Sequence, residues 1–317
     1  MKFSFLEKSR FWILTATLVA LGAVWFGAPG TVYRMFIATE RQLAGLTPVA
    51  QTIGDERWVF LRSDPVEEPR PVLLLLHGFG ADKDNFNRLA RHLKDTAELV
   101  VPDLPGFGMS SSALDNRYTA TAQAERVLAF MDEQGHQQFH VGGNSMGGYI
   151  ALAMARLAPE RIQSLWLLAP GGVVTPPLSP FVQAIVDGEP NVLIPASEAD
   201  FEYMLDFIFE VKPFLPGPVR SYLAENTVAR QSRMETIFEG LKLSDPAEAL
   251  AEGLAQPTLI VWGEQDRVLD PSGAVTLSRL LPQSRVSYLS GVGHLPQLEA
   301  PREVADDYRQ WLAATLR

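Results

Sequence analysis

Cysteine is absent from the 317-residue chain, which excludes disulfides, thiolate metal sites and thiol catalysis. Positive charge is scarce as well. Lys and Arg number 27 against 37 Asp and Glu, a net charge of −10, and such a surface repels a polyphosphate over most approaches, which argues against a nucleic-acid partner. Apolar contact with a membrane is untouched by that argument. Histidine is down to five residues, so few side chains can serve as a general base. Internal repeats and low-complexity segments are also lacking. What is abundant is apolar. With 47% hydrophobic and 9% aromatic residues the chain can bury a substantial core, and its alternation of strand-like and helix-like segments predicts an α/β fold, a mostly parallel sheet covered on both faces.

In the stretch Phe139-His140-Val141-Gly142-Gly143-Asn144-Ser145-Met146-Gly147-Gly148 an apolar run ends in a serine framed by glycines, and a strong helix former, Tyr149 to Leu157, follows. That context reads as a nucleophile elbow, G-x-S-x-G on a strained turn between a strand and a helix. Gly143 and Gly147 remove side chains that would collide there. A serine hydroxyl is a poor nucleophile at neutral pH, so a base and an acid orienting that base must follow in the fold.

Both are present in the expected order. Strand-like Pro257 to Trp262 runs into Gly263-Glu264-Gln265-Asp266, and Val286 to Leu289 runs into Gly291-Val292-Gly293-His294. Each candidate lies just past the carboxyl end of a strand, where open parallel sheets place their chemistry. Asp266 and His294 are assigned on that ground, with Glu264 and Asp270 as neighbouring alternatives for the acid. Of the other histidines, His92 and His136 fall in polar segments and His140 lies inside the strand feeding the elbow. His77 opens His77-Gly78-Phe79-Gly80, a loop suited to half of an oxyanion hole. Asp103, in Pro102-Asp103-Leu104-Pro105-Gly106-Phe107-Gly108, reads as a structural strand end and turn.

Taken in order, His77 to Gly80, Asp103 to Gly108, Gly143 to Gly148, Gly263 to Asp266 and Gly293-His294 resemble the α/β-hydrolase superfamily, from about Leu46 to the C-terminus. Its serine esterases and lipases come nearest, and the overall design is similar to that of single-helix membrane-anchored bacterial phospholipases A. The resemblance implies a mostly parallel eight-stranded sheet flanked by helices, with a helical cap. It also implies a Ser145, Asp266, His294 triad, oxyanion donors at the amides of Phe79 and Met146, and chemistry that needs neither a metal nor an organic cofactor.

The N-terminus carries a second signal. Lys2, Lys8 and Arg10, offset by Glu7, precede an uncharged run from Phe11 to Ala28 with Trp12 and Trp25 near its ends. About 18 residues at a 1.5 Å rise span about 27 Å, close to a bilayer's hydrocarbon core and longer than most signal-peptide apolar regions. A retained transmembrane anchor is therefore expected rather than a cleaved leader. The charge bias puts the N-terminus inside and the catalytic domain outside the cytoplasm, in the periplasm where the host has one; a cytoplasmic domain is the alternative. The next segment is amphipathic, with Met35, Phe36, Thr39 and Leu43 near one face, and is expected to lie on the bilayer or to continue the helix. Pairing of two chains through the membrane helix is a further expectation, resting on the weak small-residue site Leu21-Gly22-Ala23.

These signals divide the chain into a cytoplasmic terminus (1–10), a transmembrane helix (11–29), a juxtamembrane amphipathic helix (30–45), an α/β core (46–173 and 256–317) and a helical cap (174–255). The cap interior is unusually apolar. Phe201, Met204, Phe207, Phe209 and Phe214, with Leu295 beside the histidine, are expected to bind an acyl chain, or else to pack the cap onto the core. Anchor and apolar cap together point to acyl esters of lipids, with phospholipid as substrate, fatty acid as product and the bilayer as partner. Phospholipase A (A1) or lysophospholipase activity is expected. The alternatives are a small-ester carboxylesterase, a monoacylglycerol lipase and a meta-cleavage-product hydrolase. A non-catalytic receptor for an apolar ligand fits poorly with an intact triad.

Overall fold

The computed structural model describes residues 12, 14, 15, 17, 22–65, 69–111, 117–174 and 177–315. Eight strands form one sheet in the order β1-β2-β4-β3-β5-β6-β7-β8. The strands are β1 (Leu46–Ile53), β2 (Glu56–Ser63), β3 (Val72–Leu76), β4 (Glu98–Pro102), β5 (Phe139–Asn144), β6 (Ile162–Leu168), β7 (Thr258–Gly263) and β8 (Ser284–Leu289). β1 and β2 pair antiparallel, as do β2 and β4, and every later pairing is parallel. Central strands are continuous apolar runs because both faces are covered. Alternation still sorts their side chains: Leu74 and Leu76 enter one core cluster, Leu73 and Leu75 the other.

Parallel pairing demands crossovers. Helices α3 (Ala120–Glu133) and α4 (Met146–Leu157) cover one face, after the shorter α2 (Asn87–Ala90). Among the described residues, five helices fill the interval between β6 and β7, the interval read from the sequence as a cap: α5 (Pro180–Val186), α6 (Glu198–Ile208), α7 (Gly217–Val228), α8 (Gln231–Leu241) and α9 (Ala247–Ala251). Ser179 and Ser197 open α5 and α6 by accepting from the amides of Val182 and Asp200. The chain then closes with α10 (Gly273–Leu280), α11 (Pro296–Glu299) and α12 (Pro301–Thr315).

The terminus 1–10 and residues 11, 13, 16 and 18–21 of the predicted span lie outside the described residues, and among the described residues no helix is long and apolar enough to cross a membrane. Residue 28 leaves helical geometry (φ −139°, ψ 60°), Pro29 opens α1 (Pro29–Ala44), and Gly45 closes it in the left-handed region at φ 65°. This helix turns part of its apolar stripe away from the domain. Met35, Thr39 and Leu43 face outward, and the helix is held to the domain by polar and aromatic contacts. Arg41 grips Asp84 through two hydrogen bonds of 2.6 Å, Glu40 pairs with Arg88 at 2.9 Å, and Tyr33 stacks on Tyr222 of α7 at 4.6 Å. Ion pairs and a ring stack, not the apolar stripe, fasten this helix to the domain, and Met35 and Leu43 of that stripe stay exposed.

Candidate active site

Ser145 lies between β5 and α4 at φ 53° and ψ −117°, a left-handed conformation costly for a residue with a Cβ. The surroundings hold it there. Its amide donates to Leu168 O at 3.0 Å, and its carbonyl accepts from Gly171 at 2.9 Å and from Tyr149 at 3.0 Å. A Cβ at Gly143 would overlap the backbone of Gly147, and one at Gly147 would overlap the carbonyl of Leu76. The two glycines flanking the serine thus permit the close backbone crossing that the turn requires.

The His77-Gly78-Phe79-Gly80 loop abuts this turn: a Cβ at Gly78 would stand 3.4 Å from that of Ser145. His77 holds the loop's shape. Its Nδ1 donates to Gly78 O at 2.8 Å, and its Nε2 accepts from the Leu104 amide at 3.0 Å. Both bonds suit a neutral imidazole, and burial pushes its pKa down to about 4. Met146 is the first residue of α4, whose opening amides have no partner within the helix and sit at its positive end. Phe79 contributes its ring to Phe107 and Phe238, edge-on at 6.0 and 5.6 Å.

His294 and Asp266 meet. Nδ1 lies 2.8 Å from Asp266 Oδ2, with both side chains buried. A carboxylate only accepts, so Nδ1 carries the proton and Nε2 is the free basic nitrogen. Asp266 is further held by Trp262 Nε1 at 3.0 Å on Oδ2 and by the amides of Val268 and Leu269 at 2.8 and 3.0 Å on Oδ1. Of the rival acids, Glu264 is exposed and Asp270 accepts from Ser272, so it is Asp266 that reaches the imidazole. His140 bonds Ser164 at 2.7 Å within the core and is likewise pushed down to about 4 by burial. Asp103 is wholly buried against Lys83, 2.9 Å away.

These loops, fold and elbow match the α/β-hydrolase fold family over residues 71–301. The chain belongs to that family. This α/β hydrolase is 36% identical over 282 residues to lipase 3 of Moraxella sp. (strain TA144), covering 86% of this chain and 87% of that one. It is 31% identical over 257 residues to monoacylglycerol lipase ABHD6 of Mus musculus, covering 77% and 76%. Among solved structures it resembles a membrane phospholipase A described as a bacterial virulence factor, at a TM-score of 0.89 and 37% identity, over 98% of this chain and 99% of that one. The chain is an ester hydrolase of the α/β type.

The six apolar residues singled out for substrate divide into two groups. Phe201, Phe209 and Leu295 form a buried cluster with Leu205 and Ala224, and Met204 packs against it. Phe207 lies outside it, 6.2 Å from the ring of Tyr203, and Phe214 is 78% exposed. Two polar features of the site escaped sequence reading. Asn144 donates its side-chain amide to His294 O at 3.1 Å and to Leu168 O at 3.0 Å. Lys83, only 2% exposed, pairs with Asp103; burial works against its charge, but Asp103, Asp82 and Asp84 together hold its pKa above the usual value. Neither residue has a local signal, since each partner is distant in the chain.

Proposed function

We propose that this α/β hydrolase is a membrane-anchored serine hydrolase that cleaves acyl esters of lipids, as a phospholipase A of A1 type or a lysophospholipase. The observation that carries the chemistry is the 2.8 Å pair between His294 Nδ1 and Asp266 Oδ2, in a loop bonded to the residue preceding Ser145. His294 Nε2 takes the proton of Ser145 Oγ as that oxygen attacks the ester carbonyl. The amides of Phe79 and Met146 receive the oxyanion, aided by the positive end of α4. Collapse breaks the bond to the leaving alcohol, which takes the proton from His294. Water then gives its proton to His294 and attacks the acyl-enzyme, releasing the fatty acid and restoring Ser145. Asp266 keeps Nδ1 protonated throughout.

Lipid as substrate is supported by the likeness to a membrane phospholipase A across nearly the whole chain. It is supported also by the uncharged run before Pro29 and by the exposed Val211 and Phe214 in the cap. The proposed location is a single pass through the cytoplasmic membrane, N-terminus inside, with the catalytic domain outside the cytoplasm. Similarity to a monoacylglycerol lipase favours a second reading with the same chemistry on a smaller glyceride.

The test gives the full-length protein in detergent, and its Ser145→Ala variant, a phospholipid with different chains at sn-1 and sn-2, and separately a monoacylglycerol. Products are identified by mass spectrometry. Serine-dependent release of one fatty acid and a lysophospholipid bears the proposal out and gives the position. Turnover of monoacylglycerol alone selects the second reading, and turnover of short soluble esters alone rejects both.

A further inference from the structure

The cap and the histidine loop meet at one carboxylate. Glu299, at the end of α11, accepts on Oε2 from the backbone amides of Glu210 and Val211, at 2.8 and 2.9 Å, just past α6. Gly293 donates to both of its oxygens at 3.1 Å, and Leu295 donates to Oε1 at 3.3 Å. The amides on either side of His294 and two amides of the cap thus share one acceptor. The backbones are also joined directly, by His294 N to Ile208 O at 3.0 Å. Gly293 permits that contact, because a Cβ there would lie 2.8 Å from the Glu210 nitrogen and 2.9 Å from Ile208 O. Arg267, next to Asp266, donates to Phe209 O at 2.7 Å on the same stretch.

We propose that Glu299 is a positioning residue that holds residues 208–211 of the cap and the His294 loop in one register, so that this part of the cap cannot lift without releasing the imidazole's support. The proposal rests on the serine-hydrolase reading. Charge-assisted bonds to several amides at once fix a loop more tightly than bonds between neutral groups. A glutamine keeps the shape of Glu299 but turns one acceptor oxygen into a donor, which repels the amides it faced. The imidazole has to be placed to a fraction of an ångström, so a small shift of its loop costs turnover rather than binding.

The experiment measures kcat and KM of full-length protein on a short ester, per active site titrated with a fluorophosphonate, for wild type, Glu299→Gln, Val211→Pro and the double variant. Val211→Pro removes one cap amide from Glu299 and touches nothing in the histidine loop. Glu299→Gln is expected to lower kcat by about tenfold to a hundredfold, with KM changed by less than about twofold. Val211→Pro is expected to lower kcat in the same sense, and the double variant to be no worse than Glu299→Gln alone. Unchanged kcat per titrated site in Glu299→Gln overturns the proposal, even where its melting temperature falls, and so do additive losses. Hydrogen exchange on the wild type keeps the idea testable should the variants fail to fold. The amides of Glu210, Val211, Gly293 and Leu295 must then open together, and independent opening overturns the coupling. A wild type that hydrolyses no ester and takes no probe at Ser145 sinks the hydrolase reading instead, and the exchange result stands apart from it.

Discussion

The side-chain amide of Asn144 donates to the backbone carbonyl of His294, 150 residues along the chain, at 3.1 Å. The residue that precedes Ser145 thereby helps set where His294 sits. A second bond, to Leu168 O at 3.0 Å, ties the same amide to β6, so β5, β6 and the histidine loop share one anchor. Asn144→Ala removes both of these bonds at a wholly buried position and leaves the His294 carbonyl without this donor, while Leu168 O keeps the Ser145 amide. Stability should fall by about 1–3 kcal/mol for those lost bonds. Turnover should fall further than stability accounts for, with KM little changed. Denaturant titration and kcat per titrated serine check both parts, and equal kcat in the two proteins contradicts the coupling.

Gly147 and Gly135 separate two uses of glycine. Gly135 has φ 79° with nothing near a would-be Cβ, whereas a Cβ at Gly147 would overlap the carbonyl of Leu76 on the neighbouring strand. Gly135→Ala should cost about 1–2 kcal/mol, the left-handed strain alone. Gly147→Ala has to push β3 and α4 apart and should cost at least about 3 kcal/mol or prevent soluble folding. Thermal melts of the two variants decide it; equal losses would mean that the crossing is looser than described.

Lys83 and Asp103 form a buried pair 2.9 Å apart, exposed by only 2% and 0%. The carboxylate also accepts from the Lys83 amide at 2.9 Å and the Met109 amide at 2.7 Å, so it stays in place when the ammonium is removed. Lys83→Met should therefore destabilise by about 3–5 kcal/mol, the cost of leaving a buried charge uncompensated. Chemical denaturation measures this directly. A loss below about 1 kcal/mol would place the pair among ordinary surface ion pairs.

Acid should destabilise the fold through two histidines. Burial pushes His77 and His140 down to about 4, against about 6.5 in the unfolded chain. Their folded-state pKa values are depressed, so between pH 6.5 and 4 the unfolded state binds more protons and stability falls as pH falls. Each histidine adds a slope of about 1.4 kcal/mol per pH unit in that window. For His77 the added proton also takes Nε2 away as the acceptor for Leu104. Denaturation free energies at pH 7, 6 and 5 should show the decline, and His140→Gln should make it shallower; a flat profile would contradict the burial of both rings.

Much of the site was legible because its signals are local. The glycines that permit the elbow lie within two residues of Ser145, and the strand-like segments feeding Ser145, Asp266 and His294 each lie a few residues before them. A strained turn, a strand and a helix are specified by neighbours in the chain, so residue type and spacing suffice to find them. The seat of α1 was not legible. Its amphipathic stripe says nothing of the contacts that hold it, Arg41 with Asp84 and Tyr33 with Tyr222, which join residues far apart in sequence.

The sequence by itself determined the mostly parallel sheet, the strained turn at Ser145 and the order of the strand-end loops that carry Asp266 and His294, since each follows from periodicity or from backbone sterics acting over a few residues. Tertiary structure alone decided which of three neighbouring acids reaches the imidazole, how Asn144 and Glu299 hold its loop, and that Lys83 is buried against Asp103. Those are hydrogen bonds and an ion pair that join segments brought together by the fold. No pattern in either partner's neighbourhood encodes them, because their geometry exists only once the strands are in register.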